Sequence, residues 1–61
     1  MAHEFLQDRT KRYLKDNGKM QKWLAAQVGV SQPMLSMWLR DKTSFDTRTI
    51  ERIRIIVESG I

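Results

Sequence analysis

The chain holds no cysteine, which removes disulfide staples and thiolate-bound metals alike and fits a reducing compartment. Its one histidine, His3, has no second imidazole or thiol to work with. A lone imidazole beside a terminus makes no metal site. No apolar run approaches the roughly 20 residues of a membrane span. The opening Met-Ala-His-Glu-Phe puts charge where a secretion signal needs an apolar stretch, so the expected location is cytoplasmic. A Gly-rich phosphate loop, metal-ligand spacing and a nucleophile with a neighbouring base are all missing. A domain this small also has little room for a deep pocket. The expectation is a protein that is not an enzyme, takes no small-molecule substrate and needs no cofactor. Repeats, low-complexity tracts and the alternating pattern of strands are absent too.

What is present is a chain of 61 residues, enough for one domain spanning 1–61. Such a core is marginal without a staple or a partner. The net charge of +4 points to an anionic partner, nucleic acid or a membrane surface. The cations are spread over several segments instead of one polar face, which argues against a membrane binder.

Glycine and proline divide the chain into helical segments. The first is predicted from Glu4 to Asn17, with Leu6, Thr10, Tyr13 and Leu14 on one face and Asn17-Gly18 as its stop. The second runs from Met20 to Val28, with Leu24, Ala25 and Val28 sharing a face and Gly29 ending it. The third runs from Ser31 to Arg40, with Ser31 as N-cap, Pro33 in the first turn and Leu35, Trp38 and Leu39 at apolar spacing. Residues 41–45 form a polar loop. Asp46 then caps a fourth helix to about Ser59, closed by Gly60. Phe45 and Ile50 are placed for a hydrophobic staple, and Ile50, Ile53 and Val57 line one face with Ile56 beside them. The predicted fold is all-α, a compact bundle of four short helices.

The stretch Gln21-Lys-Trp-Leu-Ala-Ala-Gln-Val-Gly-Val-Ser-Gln-Pro-Met-Leu-Ser-Met-Trp-Leu39 carries a spacing with a physical reason at each special position. Two helices crossing at about 90–120° through a tight turn approach closely at one point. Ala25 is small enough to allow that approach. Gly29 supplies positive φ at the turn, and Val30 plugs the space beneath it. Leu24, Val28, Leu35 and Trp38 bury the seam. This segment resembles the helix-turn-helix of the phage Cro and lambda-type repressors. The likeness is sharpest at Gln21, Leu24-Ala25, Val28-Gly29-Val30, Ser31-Gln32, Leu35-Ser36 and Trp38, and extends over Tyr13 to Val57.

The resemblance implies a lambda-repressor-like DNA-binding domain that regulates transcription from a phage or prophage, in the bacterial cytoplasm or nucleoid. Its partner would be double-stranded operator DNA, with the Ser31–Arg40 helix in the major groove. Ser31, Gln32, Pro33, Ser36 and Met37 match base-facing positions. Gln21 matches a phosphate contact, and Arg40 and Lys42 fall where the chain leaves the groove. The residue types agree. The Gln32 amide suits adenine N6 and N7, the Ser36 hydroxyl serves several bases, and Met37 is an apolar probe for a thymine methyl or else a plain solvent-exposed side chain. Lys19, Lys22, Arg40, Lys42 and Thr43, with Arg48 as a further candidate, lie near the motif's ends as phosphate contacts.

Two departures stand out. Lys19-Met20 occupies the place of the family's usual apolar residue and Ser/Thr cap, which leaves the start of the second helix open by about two residues. Many members also have a fifth helix that builds the dimer interface, whereas four are predicted here. The family's usual dimer geometry is therefore open here, and with so small a core the expected homodimer is weak in solution and completed on DNA.

Other residues have plainer roles. Arg9, Lys11, Arg12 and Lys15 read as a solvated face. Arg48, Arg52 and Arg54 share their helix with Glu51 and Glu58 and are partly neutralised. Trp23 has three roles open to it: packing on the first helix near Tyr13, stacking on the sugar-phosphate backbone, or a dimer contact. Ile55, off the stripe of its helix, hints at self-association. An exposed Trp23 and Ile55 would also suit the alternative function, a helical protein-interaction module that kept the fold without binding DNA.

Overall fold

The computed structural model describes residues 5–59. His3, Glu4 and Gly60, which entered the sequence predictions, lie outside that range. Helices follow in the order α1 (Leu6–Asp16), α2 (Gln21–Val28), α3 (Gln32–Leu39) and α4 (Thr47–Ser59), and the described residues contain no strand. The fold is therefore all-α, as predicted. The bounds are tighter by one or two residues at several ends. Ser31 and Arg40 flank α3 as N-cap and C-cap instead of lying inside it, and α2 begins at Gln21 rather than Met20.

The first three helices end in one way. An amide two or three residues past the end donates back to a carbonyl five residues earlier: Lys19 to Leu14 at 2.8 Å, Val30 to Ala25 at 3.0 Å and Lys42 to Met37 at 2.8 Å. Each closure needs a left-handed residue in between. Gly18 and Gly29 fill that place at φ 63° and 79°. At Gly29 a Cβ would meet nothing closer than Arg52 at 3.8 Å, so the dihedral and not crowding calls for glycine. After α3 the same place is taken by Asp41 at φ 60°. From the sequence this region reads only as a loop, because aspartate advertises left-handed backbone far less clearly than glycine.

Helix starts differ. The Ser31 hydroxyl accepts the Met34 N–H at 3.3 Å, and Asp46 accepts the Thr49 N–H at 2.9 Å, both as predicted. Met20 stands at the N-cap of α2 with no side-chain hydrogen bond, so no side chain caps that helix.

The core gathers one face of each helix. Leu24, Ala25 and Val28 of α2 and Leu35, Trp38 and Leu39 of α3 join Tyr13 and Leu14 of α1 and Ile53 of α4. α2 packs on α3, while α1 and α4 pack on each other; α1 also touches α3, and α4 touches α2. Leu24 and Leu35 have no exposed surface. Burying each stabilises the fold by about 1.5–3 kcal/mol. Thr10 is equally buried, and its hydroxyl donates to the Leu6 carbonyl at 2.7 Å, so the polar atom is satisfied within its own helix. Phe45 and Ile50 both lie against the core, and the ring of Phe45 stacks on Trp38 with centroids 5.5 Å apart. That stack ties the 41–46 loop to α3. An exposed pair, Arg9 and Glu58 at 3.0 Å, bridges α1 to α4 and contributes at most about 1 kcal/mol.

Two outcomes are expected. Asp41→Gly relieves left-handed strain and removes a negative charge from the C-terminal end of α3. The gain is about 1 kcal/mol, read by circular dichroism as a rise of about 4–8 °C in Tm, whereas Asp41→Ala lowers Tm. The second concerns acid. Hydrogen bonds from the Thr49 side chain and then its backbone N–H hold the Asp46 carboxyl below its ordinary value of 3.8. A lowered folded value means that the stabilisation is complete above 3.8 and is lost as pH falls through the folded value. Asp46→Asn keeps a capping oxygen but no titrating group. The Tm advantage of the natural protein over Asp46→Asn is therefore expected to shrink once pH drops below about 3.8.

Candidate nucleic-acid interface

α3 buries Leu35, Trp38 and Leu39 on one side. At 100° per residue the opposite side carries Pro33, Met37 and Arg40, with Ser36 and Met34 on its flanks. Gln32 escapes burial because it opens the helix. Ser31, Gln32, Pro33 and Arg40 are exposed, as are Met34 (42%) and Met37 (39%), while Ser36 is half-buried. The five predicted base-facing residues thus fall between the N-cap and the sixth residue of one helix, with Ser36 the least accessible.

The predicted phosphate contacts fall at the ends of α2 and α3. Lys19, Lys22, Arg40 and Lys42 are exposed; Gln21 and Thr43 are half-buried. Gln21 is the first residue of α2, at the helix end that no side chain caps. Such an end presents backbone N–H groups and a positive dipole to an anion. Ion pairs form elsewhere, among them Arg9 with Glu58, Lys11 with Asp8, and Arg54 with Glu51. None of Lys19, Lys22, Arg40 and Lys42 is neutralised in this way. The pairing of Arg54 with Glu51 agrees with the predicted neutralisation on α4.

Residues 17–40 contain no aspartate or glutamate at all. The charge asymmetry is therefore sharper than the overall +4 suggests, and a window count along the sequence reveals it. Asp41, at the end of this acid-free stretch, is the one carboxylate between Arg40 and Lys42.

Trp23 is half-buried against the core, and the Lys19 ammonium lies 4.9 Å from its ring centroid. The contact holds Lys19 near the start of α2. Beside them Met20 is 72% exposed, and an open depression is lined by Gly18, Lys19, Met20, Lys22, Trp23 and Ala26. Packing is thus part of the role of Trp23, which stays partly exposed. Met34 joins this exposed surface although it is not among the predicted base-facing residues; its helical phase, about 100° from Leu35, is the signal that places it on the flank.

Comparison with family models, with curated proteins and with solved structures finds no match for this chain. Among the described residues no group of carboxylates or histidines is arranged to hold a metal ion, and no helix is long and apolar enough to cross a membrane. The chemistry on offer is an exposed helix surface with one amide, two hydroxyls and thioethers, together with exposed cations at the start of α2 and past the end of α3 and a helix start that no side chain caps.

Proposed function

We propose that the chain is a sequence-specific DNA-binding regulator of transcription, in which α2, the Gly29 turn and α3 act as a lambda-repressor-like helix-turn-helix of the Cro type. The observation that carries this is the surface of α3: Pro33 and Met37 on its outward side and Gln32 at its open start are exposed, Lys19 and Lys22 near the start of α2 and Arg40 and Lys42 past the end of α3 are exposed as well, and residues 17 to 40 hold no acid. An eight-residue helix is about 12 Å long, comparable to the width of the B-DNA major groove.

In this function the N-terminal half of α3 enters the major groove. Gln32 reads a base edge and Ser36 supports it. A phosphate meets the start of α2, held by its backbone N–H groups and by Lys19 and Lys22. Arg40, Lys42 and Thr43 meet the backbone where α3 leaves the groove. Two copies occupy half-sites about one helical turn apart. The association is weak in solution and completed on DNA.

The exposed Met20 and Ile55 (59%) favour a second function, a helical module that docks another protein. Negligible affinity for duplex DNA at low salt would establish it over the first.

Fluorescence anisotropy on a selected duplex and on random DNA separates the roles. Gln32→Ala is expected to weaken the selected duplex by about 5- to 150-fold, the range for one bidentate base contact, and to leave random DNA nearly unchanged. Lys22→Ala is expected to weaken both equally and to flatten the salt dependence by about 0.9 per protein copy. Equal effects of the two substitutions on both duplexes would overturn the groove assignment.

A further inference from the structure

We infer that the half-site read by α3 is built of A·T pairs, with an adenine opposite Gln32 and thymine methyl groups against Pro33 and Met37. The inference rests on the DNA-binding function proposed above and adds which base pairs the helix accepts.

The argument comes from what the outward face of α3 offers and lacks. In the major groove guanine shows two acceptors, N7 and O6, and its partner of choice is a bidentate cation. From Ser31 to Leu39 there is no lysine or arginine. The first cation is Arg40 at the C-cap, eight residues beyond Gln32 and so about 12 Å further along the axis. That places it at the end of the helix that leaves the groove. Cytosine shows an N4 donor and calls for a carboxylate. None exists between residues 17 and 40. The two features of a G·C pair thus lack their preferred charged partners on this helix.

Both features of an A·T pair have one. The Gln32 amide donates to adenine N7 and accepts from N6. Thymine adds a methyl group, and the outward side is apolar at Pro33 and Met37 with Met34 on its flank, all of them exposed. Exposed thioethers on a short helix are otherwise a solubility cost; covering a methyl removes them from water. Ser36 is half-buried and its hydroxyl serves any base, so it does not alter the preference.

The test uses the full chain and a pool of randomised duplexes. The enriched half-sites are expected to hold A·T pairs under α3. Replacing thymine by deoxyuridine at those positions removes only the methyl group, and affinity is expected to fall about fourfold for each contacted methyl. Met37→Ala, an exposed position whose truncation leaves the core intact, is expected to abolish the difference between thymine and deoxyuridine at one position while the adenine preference stays. Gln32→Ala is expected to do the reverse. Enrichment of G·C pairs under the helix, or equal affinity for thymine and deoxyuridine duplexes, would overturn the inference and leave the DNA-binding function standing. If the pool yields no enriched sequence, the DNA-binding function itself falls and this inference falls with it.

Discussion

The structure depends on the seam between α2 and α3. Leu24, Ala25 and Val28 face Leu35, Trp38 and Leu39 within one core, and the chain turns between the two helices in the three residues from Gly29 to Ser31. A turn that short is possible because Gly29 takes φ 79° and Val30 donates back to Ala25. The seam also sets which side of α3 is left outside. With Leu35 and Trp38 turned inward, helical phase alone puts Pro33, Met37 and Arg40 outward. A domain of 61 residues has about 3–9 kcal/mol of stability. Truncating one fully buried leucine costs about 2–5 kcal/mol. Seam and fold are therefore energetically the same thing, and no part of the proposed interface survives loss of the other.

The remaining elements brace this pair. α1 supplies Tyr13 and Leu14, and α4 supplies Ile53, each from a single amphipathic face. Phe45 stacked on Trp38 extends the bracing to the loop that carries Lys42 and Thr43. Rigid placement matters for base reading, because a contact made by a fixed side chain loses less entropy on binding. The electrostatics follow a similar division of labour. Acids occur on α1 and α4, where Asp8, Glu51 and Glu58 pair with cations, while α2 and α3 carry none.

Much of this was legible in the sequence because it rests on local rules. The stops at Gly18 and Gly29, the caps at Ser31 and Asp46, and the buried set Leu24, Ala25, Val28, Leu35 and Trp38 all follow from spacing and residue type. Thr10 was legible through its phase alone, in spite of its polarity. What could not be read depends on tertiary or unusual backbone geometry. The Trp38–Phe45 stack joins residues on different elements, and nothing in their separation announces it. Asp41 at positive φ breaks the usual link between left-handed backbone and glycine. The placement of Lys19 over Trp23 spans a helix start whose position the sequence left open. Of the candidate site, the outward set on α3 was readable from periodicity, whereas the partial burial of Ser36, Gln21 and Thr43 reflects neighbours that only the packed structure supplies.

The central claim is that the molecule meets its partner through the start of α2 and the outward side of α3. Amide chemical-shift mapping of the labelled protein with an operator-length duplex tests it directly. The account predicts that the shifted resonances cluster at Lys19 to Lys22, Ser31 to Met37 and Arg40 to Thr43, with the outer faces of α1 and α4 quiet. Shifts centred on Ile55 and α4, or none at low salt, would contradict it.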